Sequence, residues 1–284
     1  EIMPSLVGSE MCIRDSDSSV HTPRQTGWAA LVAAVVTAAF LLFTPDGLLT
    51  KADMVGYAVC HRIPSHSFFI AGRQLPLCAR CSGTFLGALS GLVGQAVVLK
   101  RRRAAGFPPG PILVVMLGFV ALWGFDGLNS YMSMSLGRPL LYTPQQWLRL
   151  ATGTLTGVTI SSVLWPTINF SLCVDPSPEP AVRSWRDLGL LLLMGGGMSL
   201  LVWSRWPPLL YPVALLSAAG VLAMLTGVNT VLVAMALGWE NRYRRCREAV
   251  VPVLFGLALS ILIVGGIDLL RYSLTGTLEG FPGL

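Results

Sequence analysis

Residues 78–103 read CARCSGTFLGALSGLVGQAVVLKRRR, and this stretch decides the fold. Its middle, Ser82 to Leu99, carries no charged side chain. It is as long as the roughly 17 to 25 apolar residues that cross a hydrocarbon core as a helix. The start holds the thiol pair Cys78-Ala79-Arg80-Cys81, and the end holds Lys100-Arg101-Arg102-Arg103. A basic run directly after an apolar helix is the pattern retained on the cytoplasmic side of a membrane. The stretch therefore reads as a membrane helix with soft ligand atoms at one end and cations at the other.

The remaining chain agrees. Of 284 residues, 53% are hydrophobic and 12% charged, and the mean hydropathy is +0.65, against about 25% charged residues in soluble domains. Candidate spans run from Gly27 to Phe43, Ser82 to Leu99, Pro111 to Leu128, Leu148 to Trp165, Leu188 to Trp203, Leu209 to Leu237 and Val250 to Leu270. The expected architecture is all-α, a polytopic transmembrane helical bundle of about seven spans, with six to eight as the range. Glu1 to Ser16 look like translated sequencing-adaptor read-through and are set aside from fold reasoning. The expected organisation is then a tail over 17–26, a membrane region over 27–165 and a polar loop over 166–186. C-terminal membrane helices follow over 187–284.

Orientation follows from the cations. Lys100 to Arg103 and the group Arg242, Arg244, Arg245 and Arg247 fall on one side, joined by Arg183 and Arg186. With the N-terminus inside, both clusters are cytoplasmic and the segment from Cys60 to Cys81 is extracytoplasmic. The net charge of +6 is explained by juxtamembrane side chains meeting anionic lipid headgroups. The runs are short, lack interleaved aromatics and abut spans, so no nucleic acid is expected as a partner. The lipid bilayer is the expected surrounding.

Helix contacts are legible as well. Gly83, Gly87 and Gly91 recur every fourth residue, and Gly153 and Gly157 repeat that spacing on another span, so those two helices are expected to pack closely near the cysteines. Gly195-Gly196-Gly197 is expected to mark a kink or close packing rather than a phosphate cradle, since no strand precedes it.

The chemistry is placed at Cys60, His61, Cys78 and Cys81. Thiolate and imidazole suit a zinc or iron ion, and a Cys-x-x-Cys pair can converge on one ion across a single turn. A helix N-terminus beginning at Ser82, with Arg80 beside it, favours the thiolate form. Adjacent residues point apart in an extended strand, which sets Cys60 and His61 at odds and leaves His66 as a substitute ligand. The same thiols also fit a membrane thiol-disulfide oxidoreductase cycling Cys78 and Cys81, with a quinone or partner membrane protein as electron acceptor, or a plain structural disulfide. Covalent haem is disfavoured by Ser82, where Cys-x-x-Cys-His requires histidine. Asp126 and Arg149 sit at similar depth on neighbouring spans and are expected to form a helix-pinning pair; as candidate relay groups they motivate a small-solute transporter as a third class. Asp268 and Arg271 are expected to pair locally, one turn apart. No catalytic residue is assigned.

Taken together, Cys60-His61-Arg62-Ile63-Pro64, Ser67-Phe68-Phe69 and Gly72-Arg73-Gln74-Leu75-Pro76-Leu77-Cys78-Ala79-Arg80-Cys81-Ser82-Gly83-Thr84 resemble one family. Gly124-Phe125-Asp126-Gly127 and Leu148-Arg149-Leu150-Ala151-Thr152-Gly153 resemble its later blocks. This is the domain-of-unknown-function 2085 family of predicted prokaryotic membrane proteins. The resemblance spans about Tyr57 to Gly157 and implies an integral membrane protein in which Asp126 and Arg149 share a site or scaffold with the cysteines. It carries no activity, and Ser82 stands where threonine is more usual.

Overall fold

The computed structural model describes residues 21–244 and 246–277. The expected adaptor stretch 1–16, the start of the tail and Arg245 lie outside these described residues. Among the described residues eight α-helices form: α1 (Pro23–Phe43), α2 (Leu48–Val59), α3 (Ala79–Val93), α4 (Gly110–Ser135), α5 (Gln146–Leu172), α6 (Trp185–Ser204), α7 (Leu210–Ala236) and α8 (Val250–Thr275). A π-helical turn, Gly94–Val98, prolongs α3. Six of these are long and apolar enough to cross a membrane: α1, α3, α4, α6, α7 and α8. The chain is an all-α polytopic membrane protein.

The fourth expected span, α5, is absent from the helices apolar enough to cross a membrane. Its 27 residues include buried Thr152, Thr154, Thr156, Thr159, Ser161 and Ser162. Most of these hydroxyls turn back on the helix, as when Thr154 Oγ1 donates to the Leu150 carbonyl at 2.9 Å. Such self-bonding is what lets hydroxyls sit away from water. Contacts with α3, α4, α6 and α7 surround α5, so its polarity faces protein instead of lipid.

The α3–α5 contact is the tightest in the molecule, as the glycine spacing predicts. A Cβ on Gly83 would stand 2.2 Å from the Leu150 carbonyl oxygen, and one on Gly153 would stand 2.2 Å from that of Arg80. The two backbones touch with no side chain between them. Of the Gly195-Gly196-Gly197 run, Gly195 packs on Thr154 and Val158 while the other two face open space. The run marks a close contact, and α6 continues unbroken through it.

Three boundaries differ from expectation. Helix α3 begins at Ala79 rather than Ser82, because Cys78 turns the chain from a strand straight into the helix. Helix α5 continues through Pro166 to Leu172, so the link to α6 starts at Cys173, not at residue 166. Helix α1 starts at Pro23, inside the expected tail, with Thr22 and Gln25 closing a capping box.

Helix α2 is an unforeseen element of 12 residues, too short to span. It lies against an antiparallel hairpin of β1 (Ser67–Ile70) and β2 (Arg73–Cys78), in which Ser67 pairs with Cys78 and Ile70 with Arg73. Ala71 and Gly72 both have positive φ, 51° and 76°, as a two-residue hairpin turn that follows strand twist requires. Contacts sort the connections into two ends. One end gathers α2, the hairpin and the starts of α3 and α5. The other gathers Arg101 to Arg103 and the parallel pair β3 (Ala104–Gly106) and β4 (Ser177–Pro180), with Arg103 donating to the Asp175 carbonyl.

Candidate functional site

The site is assembled at the end of the bundle that carries the hairpin. Cys60 caps the C-terminus of α2. Cys78 ends β2 and is the N-cap of α3, which puts Cys81 in the first helical turn. Helix α2 reaches this position because Gly56 lies flat against β2; a Cβ there would come within 2.0 Å of the Pro76 carbonyl oxygen. Asp53 of α2 then clamps the loop through Arg62 at 3.1 Å and Arg73 at 2.9 Å.

Cys60, Cys78 and Cys81 are not in disulfides. Ligand atoms of Cys60, His61 and Cys78 all lie within 4.8 Å of one another. Tetrahedral ligands about 2.0–2.3 Å from a zinc ion stand roughly 3.3–3.8 Å apart, so this set lies within a small rotameric adjustment of a metal-binding geometry. Cys60 and His61 therefore do converge, contrary to the extended-strand expectation. Cys60 itself is extended, φ −136° and ψ 145°, and the chain turns just after His61, at Arg62 with φ +49°. Cys81 falls outside that set of mutually close atoms, although its thiol is near enough to act on both Cys60 and Cys78. His66 stands off as a neighbour: its ring centre is 6.0 Å from that of His61.

Backbone donors point at the sulfur of Cys60, with the amide of Cys78 at 3.3 Å and that of Arg62 at 3.4 Å. The Cys60 thiol is held well below its ordinary range, first by the hydrogen bond from the Cys78 thiol and then by that from Cys81. Cys78, the donor to Cys60, is held above its own. Two backbone amides aimed at one sulfur, with two thiols beside it, favour its thiolate form, the form that a metal cation or an oxidant takes. Burial, with the positive charge of Arg149 next in weight, pushes His66 down to about 4, so its imidazole is neutral near pH 7.

The accessory residues are brought to the same end but pair differently from the sequence expectation. Asp126, 1% exposed, takes an ion pair from Arg80 rather than Arg149. Tyr142 donates its hydroxyl to the other carboxylate oxygen at 2.7 Å. Arg80 thus faces α4 and not the sulfurs, because the first turn of α3 turns residue 80 away from residues 78 and 81. Arg149 reaches only Ser130, its Nε donating to Oγ at 3.3 Å, and Arg80 donates to the same oxygen at 3.1 Å. Asn129 fixes the covering loop by accepting from the amides of Leu140 and Leu141 and donating to the Tyr142 carbonyl.

Asp268 and Arg271 do not bond to each other, although the Arg271 charge is near enough to act on the carboxyl. Both oxygens of Asp268 are buried without a hydrogen-bond partner. Arg271 instead donates to the carbonyls of Tyr57 and Cys60 and stacks 3.9 Å from the Tyr57 ring centre, capping the end of α2 just where Cys60 sits. Nothing in the spacing points to Asp53, Ser130, Tyr142 or the capping role of Arg271. These residues become partners only when distant segments meet.

The family description "Predicted membrane protein (DUF2085)" matches residues 60–163, which covers the thiol loop, α3, α4 and most of α5. An uncharacterized protein of Methanothermobacter thermautotrophicus is 31% identical over 84 residues, 28% of this chain and 76% of that protein. The chain belongs to the DUF2085 family. A second relative, uncharacterized protein MJ1492 of Methanocaldococcus jannaschii, is 46% identical over 42 residues, 15% of this chain and 27% of its own length. No solved structure matches. The DUF2085 match begins at Cys60 and ends within α5, so the thiols, Arg80, Asp126 and Arg149 all fall inside it. Helices α6 to α8 lie beyond the DUF2085 match and supply the surrounding wall.

Proposed function

We propose that this membrane protein holds a zinc or iron ion through Cys60, His61, Cys78 and Cys81. The single observation that carries the reading is the convergence of Cys60, His61 and Cys78 ligand atoms within 4.8 Å from two separate elements, α2 and β2. Cys81, near enough to act on the other two sulfurs, would supply the fourth ligand of a tetrahedral set. The ion ties the end of α2 to the first turn of α3, and its charge is matched by thiolates that backbone amides already stabilise. Asp126, Arg80 and Tyr142 form a neighbouring scaffold that holds α3 on α4. On basic-residue distribution, the thiol end is extracytoplasmic and the Lys100–Arg103 end cytoplasmic.

Direct contact among three thiols also suits a dithiol that closes to a disulfide. An imidazole in the cluster and the burial of Cys60 and Cys78 favour the metal, while Cys81 is the partly exposed thiol that a redox cycle would use to attack. Elemental analysis of detergent-purified protein beside Cys60→Ser and Cys81→Ser variants, with thiols counted under denaturing conditions, separates the two. About one zinc or iron per chain, lost in both variants, is the expected result. A metal-free protein with a Cys78–Cys81 disulfide would sink the metal reading and put the oxidoreductase first.

A further inference from the structure

A second site lies beside the thiols, and none of the four proposed metal ligands lines it. Ser65 and His66, the end of α4 and the start of α5 enclose a cavity of about 550 Å³ lined by Ser65, His66, Ser130, Ser133, Met134 and Arg149. That volume falls in the roughly 300–1,000 Å³ range of small-molecule pockets. The lining is rich in hydrogen-bond donors: a guanidinium, an imidazole and three hydroxyls. It contains no carboxylate.

Arg149 is the informative member. It is 5% exposed, yet the bond from Nε to Ser130 is its one hydrogen bond among the described residues. It makes no ion pair within 4.0 Å. The closest carboxylate of the scaffold, Asp126, is occupied by Arg80 and by the Tyr142 hydroxyl. Among the described residues Arg149 thus bonds directly to no anionic group; the charges of Asp126 and Cys78 act on it from farther off, while Cys60 takes its donors from the backbone of Arg62 and Cys78. A charge this deep with no direct partner is costly enough that a ligand reaching it through the open side of the cavity is expected. Arg149 also stands in the first turn of the 27-residue α5, whose N-cap Gln145 makes no side-chain cap, so the helix dipole adds positive potential at the same end.

We propose that this cavity binds an oxyanion, a phosphate group carried either by a small soluble molecule or by a lipid headgroup, with Arg149 as its anchor. The planar guanidinium offers two parallel N–H donors to such a group, and Ser65, Ser133 and His66 surround the remaining oxygens. The cavity lies between the end of α4 and the start of α5.

The test uses full-length protein in detergent. Inorganic phosphate is titrated calorimetrically, and retention of phosphatidylglycerol is read by native mass spectrometry, for wild type, Arg149→Gln and Arg149→Lys. Saturable phosphate binding, weakened at least about tenfold in Arg149→Gln and partly restored in Arg149→Lys, supports a soluble ligand. One phosphatidylglycerol per chain, not displaced by phosphate and lost in Arg149→Gln, supports the headgroup. Wild type that binds neither, or binding unchanged in Arg149→Gln, overturns the proposal. Ser133→Ala, whose hydroxyl lines the cavity, gives a milder variant should Arg149→Gln fail to fold; unchanged affinity in that variant with Arg149→Gln unfolded also overturns it. Metal content measured on the same samples keeps this outcome separate from that of the thiol site.

Discussion

Gly153→Ala adds one methyl group to the middle of the α3–α5 contact. The new Cβ would lie 2.2 Å from the carbonyl oxygen of Arg80, 3.0 Å from the Thr84 amide nitrogen and 3.2 Å from the Arg80 carbonyl carbon. Every one of these is backbone, so no side chain can rotate away. Ordinary van der Waals contact begins near 3.4 Å, which requires the helices to part by about 1.2 Å at this point. Overpacking of this kind costs about 1–3 kcal/mol. Arg80 lies between Cys78 and Cys81, so the displacement falls on the turn that carries both sulfurs. Metal ligands tolerate about 0.2 Å, and a shift several times larger is expected to lower zinc affinity at least about tenfold. Gly196→Ala is the matched control, as nothing lies within 4 Å of its added Cβ. The assay is thermal unfolding in detergent together with competition against a zinc chelator. Wild-type stability and zinc affinity in Gly153→Ala would refute both the close backbone contact and its coupling to the thiols.

Asp126→Asn removes the carboxylate that serves Arg80 and Tyr142, and a loss of about 3–5 kcal/mol is expected from the charge left buried; chemical unfolding that shifts by under about 1 kcal/mol would contradict it. Tyr142→Phe deletes only the 2.7 Å hydroxyl bond to Asp126, so a smaller loss of about 1.5–3 kcal/mol, the range for a hydrogen bond to a charged group, should appear in the same measurement. Asp268→Leu replaces a carboxyl whose two oxygens have no hydrogen-bond partner. It lies in a cavity of about 820 Å³ also lined by Phe40, Ile261 and Leu269. This variant should unfold at a higher temperature than wild type, and a lower midpoint would show that the carboxyl has a stabilising role.

How much was legible in the chain follows from the range over which each signal acts. Apolar length marks a span without reference to any neighbour, and all seven candidate segments are helices in the structure. Spaced glycines are local as well, because residues four apart share a helix face, and Gly83, Gly87, Gly153 and Gly157 do meet across α3 and α5. The thiol group was visible because Cys78 and Cys81 sit three apart and Cys60 and His61 stand side by side. Helix α2 was missed since 12 residues holding Lys51 and Asp53 lack the apolar run of a span.

Pairing was decided elsewhere. Depth along a span placed Asp126 and Arg149 at one level, but rotation about the helix axis chose Arg80 as the partner and left Arg149 on the cavity. That rotation depends on where α3 begins, and its start at Ala79 is fixed by β2 running directly into the helix, a tertiary event. The membrane-spanning helical class, the glycine-lined contact and the grouping of thiols and imidazole are each written in residues within a turn or two of one another, so they can be read along the chain. Which charges pair, how near Cys60, His61 and Cys78 come, and that Arg149 bonds directly to no carboxylate come from the packing, because those depend on angles between elements far apart in the chain.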